Sequence, residues 1–424
     1  MRYIADLHIH SKYSRACSSR LDLENIEKWC QIKGVDIVAC ADFTHPKWFA
    51  ELKSKLKSAG NGLYELAGDK KQAAQPVYFF PSTEVSCIYS KGGKVRRLHV
   101  LIFAPTLEVV AKINEKLGAL GKLASDGRPI LGLDAKDLLK IILEIDERCL
   151  VIPAHAWTPW FAVFGSKSGF DSLEECFEEL APHIYAIDTG LSSDPAMNWR
   201  LSKLDNLSLV SHSDAHSPEN IGREADVFEI NVKKTPNLYD EICRIIKEKD
   251  RTKFLYTIEF YPEEGMYHFD GHRDCKVRLS PEETKKHKGI CPKCGRPVTV
   301  GVMNRVAELA DRDVGSKPQN FVSYKSLVGL DDVIAEALGV FGRKTKAVLG
   351  EYQNLINKAK SEFNVLLDLT YDELLKITLP EIVEGVRRNR EGKVFIEPGY
   401  DGTYGVVKLF GEEERKKFKQ TSLF

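Results

Sequence analysis

The chain lacks a net charge: 61 Lys and Arg stand against 61 Asp and Glu in 424 residues. No global field therefore draws in nucleic acid or an anionic membrane, and any polyanion must be met by local patches. No apolar run approaches the roughly 18 residues that a membrane helix needs. The N-terminus has no basic-then-apolar leader and begins directly with the strand-like RYIADLHIH. No secretion signal and no membrane partner are expected. There is no internal repeat and no low-complexity tract. A composition of 43% hydrophobic and 29% charged residues excludes a disordered or collagen-like chain. The length suggests two or three domains with ample core.

Disulfide signals are also missing. Of the ten cysteines, Cys30, Cys40, Cys87, Cys149, Cys176 and Cys243 sit singly in apolar segments. They read as small buried hydrophobes in a reducing compartment, which points to the cytoplasm. Only Cys275, Cys291 and Cys294 cluster.

Short apolar strands alternate with helical patterns over residues 1–260. Strands are expected near Tyr3–Ala5, Val35–Cys40, Val77–Phe80, Leu98–Phe103, Cys149–Ile152, Ile184–Ile187 and Leu207–Val210. Between them, Leu107–Leu123 follows a capping Thr106. Asp134 can cap a helix over Asp134–Arg148, with Leu138, Leu139, Ile141, Ile142 and Ile145 at helical spacing. Such alternation argues for an α/β fold with a parallel sheet, open or closed into a barrel, and seven such strands suggest a barrel one unit short of the usual eight. A second region, 261–312, is rich in turns. From Tyr267 to Val298 it holds eight Lys and Arg against four Asp and Glu, a local balance of +4. Residues 313–424 are mostly helical, with a hairpin expected in KVFIEPGYDGTYGVVKLF and a charged tail.

The histidines gather at the expected strand ends. His8 and His10 lie in DLHIH, Asp42 and His45 after the second strand, and Glu84 in STEVS. His99 lies in the fourth strand, His155 in PAH, and Asp214 and His216 in SHSDAH. In an α/β barrel, strand ends converge on one mouth. Any one of these histidines alone reads as a packed or surface residue, but the set reads as the ligands of a divalent metal cluster. Two histidines at i and i+2 of an extended segment face the same way. None of these motifs points to a nucleophilic Ser or Cys.

A second constellation is His272-x2-Cys275, fifteen residues, then Cys291-x2-Cys294. This spacing suits a tetrahedral structural zinc, with His268 competing with His272 as the fourth ligand. Trp157, Trp160, Phe161 and Phe164 follow His155 on what reads as a mouth loop. They either stack on an extruded base or pack beneath the loop. Tyr261, Tyr267 and Phe269 have a weaker claim of the same kind, and Lys167 could meet a phosphate.

DLHIHS, STE, His99, PAH and SDAH resemble the motifs of the polymerase-and-histidinol-phosphatase (PHP) superfamily. With GHRDC and CPKCG added, the whole chain resembles the archaeal endonuclease Q family. The resemblance implies a PHP-type distorted (β/α)7 barrel (1–260), a small zinc-binding module (261–312) and a mostly helical C-terminal DNA-binding domain (313–424). It implies two or three divalent ions (Zn, Mn or Mg) in the barrel and one structural zinc. It implies nicking of DNA 5′ to uracil, hypoxanthine, xanthine and abasic sites. The barrel ligands carried over are His8, His10, Glu84, His99, His155, Asp214 and His216. Arg15 and Asp42-Phe43 depart from the superfamily pattern, which leaves a third metal position to Asp42 and His45. The C-terminal QTSLF resembles the start of the motif that docks on the PCNA sliding clamp, with Gln420, Leu423 and Phe424 as contacts. The barrel motifs alone also fit a phosphatase of small phosphorylated metabolites.

Overall fold

The computed structural model describes residues 1–68, 75–411 and 414. The clamp-like residues Gln420, Leu423 and Phe424 lie outside the described residues. Strands β1 (Arg2–Asp6), β2 (Ile37–Ala39), β3 (Leu56–Ser58), β4 (Tyr64–Leu66) and β5 (Tyr78–Phe80) come first. A long pair, β6 (Ser82–Lys91) and β7 (Lys94–Phe103), follows, then β8 (Ile130–Leu131) and β9 (Leu150–Pro153). The next four are β10 (Ala186–Asp188), β11 (Ser208–Val210), β12 (Ala225–Glu229) and β13 (Phe254–Glu259).

All seven strands expected from the sequence are present, but they do not form one parallel ladder. One sheet runs β16-β13-β12-β1-β2-β5-β4-β3, where β16 is Ser323–Ser326; a second runs β8-β6-β7-β9, and β10 pairs with β11. Pairing is parallel in β1–β2–β5 and in β10–β11. It is antiparallel in β6–β7 and β7–β9, and β12 is antiparallel to both β1 and β13. The physical reason for the β6–β7 departure is a tight turn at Gly92 and Gly93, both at positive φ (60° and 72°). Only an antiparallel pair can be joined so briefly. A parallel bridge between Ile9 and Ala215 sets the residues just past β1 beside those just past β11.

Alternate residues of the strands build a central apolar cluster. It includes Tyr3, Ala5, Ile37, Phe80, Phe103, Ile152, Val210 and Phe228. The helix Leu238–Glu248 closes it with Ile242, Ile245 and Ile246. A larger cluster holds the opposite strand faces against the surrounding helices. Asp134 does cap its helix, which runs over Ala135–Ile145 and buries Leu138, Leu139 and Ile142. The helix behind Thr106 ends at Gly118 rather than Leu123.

In the second region β14 (Asp270–His272) pairs antiparallel with β15 (Val277–Leu279). Helices Leu330–Ala337, Lys346–Ala359 and Pro380–Arg390 dominate the last region. That region is not separate from the first, because β16 hydrogen-bonds to β13. The helix Leu23–Lys33 also docks on it: buried Lys33 Nζ donates to Glu362 Oε2 at 2.7 Å, and Tyr352 donates to the same oxygen at 2.6 Å. The C-terminal hairpin forms as expected, between β17 (Phe395–Glu397) and β18 (Val406–Lys408).

Candidate metal centre

The chain positions the site by its strand ends. His8 and His10 follow β1, Glu84 lies early in β6, His99 in β7, His155 just past β9, and Asp214 just past β11. His155 and Asp214 hold φ of 30° and 45°, a left-handed backbone that L-residues rarely adopt. Such outliers persist where the surroundings over-determine them, as at a site that aims a side chain.

Four ligand atoms face one another. His8 Nε2 lies 3.5 Å from Glu84 Oε2 and 3.6 Å from Asp214 Oδ1. His10 Nε2 lies 3.2 Å from Glu84 Oε2 and 3.0 Å from Asp214 Oδ1. Three of the four, His8 Nε2, His10 Nε2 and Asp214 Oδ1, are buried without a hydrogen bond. Buried polar atoms left orphaned are costly, and a cation at their centre would satisfy them together. The other oxygen of Glu84 faces a second set. Oε1 lies 2.9 Å from His99 Nδ1 and 3.2 Å from His155 Nε2, and those two nitrogens are 3.0 Å apart. Imidazole and carboxylate donors of this kind fit divalent transition metals, and the residues present fit two ions that share Glu84.

Electrostatics follow from this crowding. Burial disfavours the charged form of His8, yet Glu84, Asp188 and Asp214 outweigh it and hold its pKa at about 10. Burial lowers His99 to about 4, because Arg128 and His155 offset the attraction of Glu84. Glu84 is pushed up by burial and pulled well below the carboxylate range by His99, Arg128 and His8.

Two expected ligands are placed elsewhere. Asp42 stands behind His10, with Oδ1 at 3.0 Å from His10 Nδ1. Its Oδ2 accepts from Ser11 N, Ser11 Oγ and Ser14 Oγ, so its acceptors are already used. His45 caps the helix Pro46–Lys55, its Nδ1 accepting from Trp48 N, and its ring stacks on Tyr13 with centroids 4.4 Å apart. It faces neither ligand set. His216 lies beside the site, its ring 4.7 Å from that of His10 and its Nδ1 at 2.8 Å from the Asp214 carbonyl.

The structure adds residues that sequence reasoning missed. Asp188 ends β10 and places Oδ2 3.3 Å from His8 Nδ1. Behind it, His212 Nδ1 is 3.8 Å from Asp188 Oδ1, and His212 Nε2 is 3.3 Å from Asp226 Oδ2. All three are fully buried. Asp188 ends an expected strand, so the rule that found the others also reaches it. Arg128 gave no such signal: it lies in the loop before β8, and its guanidinium donates to Glu84 Oε2 at 2.9 Å.

The second constellation also assembles. His272, Cys275, Cys291 and Cys294 bring their ligand atoms within 4.8 Å of one another. His268 is not among them; it is buried against Phe269. Of the mouth aromatics, Trp157 is fully buried and donates to Asn198 Oδ1 at 2.7 Å, and Phe164 is buried beside it. Phe161 packs on His99 with centroids 4.7 Å apart. Trp160 is 38% exposed and meets Tyr267 edge-on at 5.5 Å. Phe269 is partly buried, Tyr261 is buried, and Lys167 is exposed.

The chain is similar to several known proteins. A family model described as the MJ0043 C-terminal domain matches residues 329–393. The uncharacterised protein MJ0043 of Methanocaldococcus jannaschii is 33% identical over 257 residues, 60% of this chain. The match spans only about a third (31%) of that protein's length. The crystal structure of the lesion-specific endonuclease PfuEndoQ from Pyrococcus furiosus is similar at a TM-score of 0.83 and 30% identity, covering 96% of this chain and 95% of that one. An endonuclease Q in complex with a 27-mer duplex, with an abasic lesion at its active site, is similar at 0.82 and 30% identity, covering 98% of both chains.

Ligand histidines are held in orientation by the partner of their other nitrogen. Asp188→Asn is therefore expected to weaken metal retention by about 10- to 100-fold, read as bound metal after dialysis against a graded chelator. Retention equal to wild type would remove Asp188 from the site. Cys291→Ser is expected to lose one zinc per chain by elemental analysis and to open residues 261–312 to limited proteolysis. A zinc-free variant with wild-type protease resistance would exclude a structural ion.

Proposed function

We propose that this chain, which belongs to the endonuclease Q family, is a metal-dependent DNA repair endonuclease. In this reading it cuts the phosphodiester bond 5′ to deaminated bases (uracil, hypoxanthine, xanthine) and abasic sites, and leaves 3′-hydroxyl and 5′-phosphate ends. The observation that supports it most is Glu84 shared between two facing ligand sets. That arrangement stands on a chain similar to an endonuclease Q over nearly its full length. Residues 1–260 are read as the catalytic barrel, 261–312 as a zinc-held module, and 313–424 as the DNA-binding region with a clamp-docking tail.

His8, His10, Glu84 and Asp214 would hold one ion, and Glu84, His99 and His155 a second, with His216 at the edge where a third would add. Bound divalent ions supply Lewis acidity, which acidifies water and neutralises phosphate oxygens. The remaining tasks belong to the chain. Asp188 and Asp42 orient His8 and His10 through their Nδ1 atoms. Arg128 brings a fixed positive charge into the same pocket, where it can offset charge building on the phosphoryl oxygens. Phe161 packs on one side of His99. Exposed Trp160 would stack on an extruded base, and Lys167 on the same loop would meet a flanking phosphate. Damaged and mispaired bases leave the stack at lower cost, so extrusion itself favours lesions.

The test is an end-labelled duplex with one deoxyuridine, deoxyinosine or abasic site, incubated with the full chain and varied divalent cations. A single cut immediately 5′ to the lesion is expected. His8→Ala or Asp214→Asn should abolish it while duplex binding persists. Release of phosphate from small phosphomonoesters with no duplex cut would select a metabolite phosphatase instead.

A further inference from the structure

Between the β14–β15 hairpin and the β17–β18 hairpin lies a groove of about 590 Å³, lined by Lys276, Arg278, Glu397, Tyr400, Thr403 and Tyr404 among others. Backbone contacts fix its walls. Gly399 N donates to Glu263 O at 2.7 Å, Gly405 N to Glu264 O at 3.0 Å, and Gly402 N to Met266 O at 3.0 Å. A Cβ on Gly405 would lie 2.0 Å from Glu263 O, and one on Gly399 2.3 Å from Gly265 O. Only glycine permits that approach. Arg278 Nη1 donates to Pro398 O at 3.1 Å and braces one hairpin against the other. Lys276 directly follows Cys275, so the hairpin that carries both cations also carries His272 and Cys275 of the cysteine–histidine group.

The lining is unlike ordinary surface. Neither Lys276 nor Arg278 pairs with a carboxylate among the described residues, and Glu397 is the only acidic residue in the lining. Tyr404 is 71% exposed and is one of the lining residues. Trp160, five residues past His155, meets Tyr267 edge-on, and a Cβ on Gly402 at the turn of the last hairpin would lie 3.8 Å from the Tyr267 hydroxyl.

The geometry points to a binding site for a single-stranded segment of DNA, with phosphates on Lys276 and Arg278 and an unpaired base stacked on Tyr404. Cations that track a backbone beside an exposed ring are the basis of sequence-tolerant single-strand binding. A duplex keeps its base faces hidden and leaves Tyr404 without a partner. The inference rests on the endonuclease reading and adds to it a seat for an unpaired strand.

The experiment is fluorescence anisotropy of labelled oligo(dT), which carries no lesion, with the metal-loaded full chain over a salt series. Wild type is expected to bind. Tyr404→Ala should weaken binding fivefold or more with its salt dependence unchanged. Lys276→Gln with Arg278→Gln should flatten the slope of log K against log salt by about 1.4, two contacts at about 0.7 each for a single strand. Circular dichroism checks that these exposed substitutions leave the fold intact. Oligo(dT) affinity and slope unchanged in both variants would overturn the site, as would failure of wild type to bind. A loss seen with duplex but not with oligo(dT) would overturn the single-strand assignment. Lesion nicking by wild type is scored separately, so the groove can fail while the nuclease reading stands; a wild type that neither nicks nor binds DNA sinks both.

Discussion

A buried carboxylate must be neutralised from two sides, and the site is organised around that need. Glu84 is 2% exposed and presents one oxygen to His8 and His10 and the other to His99 and His155. An isolated carboxylate in such a place is costly, and pairing it with one histidine would leave the second oxygen unmet. The fold meets the constraint by bringing the ends of β1, β9 and β11 to the face of the β6–β7 hairpin that carries Glu84 and His99. Asp188, His212 and Asp226 then form an inner layer that holds His8 from behind.

Much of this was legible in the sequence because strand ends are marked by short apolar runs followed by chemistry-bearing residues. His8, His10, Glu84, His99, His155 and Asp214 were all found that way, and the structure brings them together. The β6 strand was not legible. Its buried Ser82, Thr83, Glu84 and Ser86 hide the apolar alternation that marks a strand. Missing it turned an antiparallel hairpin into an expected parallel unit, although Gly92-Gly93 carried a turn signal. Asp42 and His45 were assigned as ligands because spacing places a residue near a mouth but does not say which atoms it has left. In both, the acceptor atoms serve local structure, around His10 for Asp42 and at a helix start for His45. Arg128 lay beyond this reasoning, since a loop arginine carries no periodicity.

The second and third regions extend the same logic from the site to its surroundings. The cysteine–histidine group lies beside a hairpin with little core of its own, where Val277, Leu279, Cys291 and Val298 form the apolar cluster. Glycines in the last hairpin let backbone meet backbone and lock that hairpin to the segment after β13. Lys33 and Glu362 form a buried pair that ties the first region to the last.

On the proposed reading Glu84 would serve two ions, and anomalous diffraction from crystals soaked in manganese tests this most directly. The account predicts two peaks flanking the Glu84 carboxylate, one bounded by His8, His10 and Asp214 and the other by His99 and His155. A single peak remote from Glu84, or none between these side chains at saturating manganese, would contradict it.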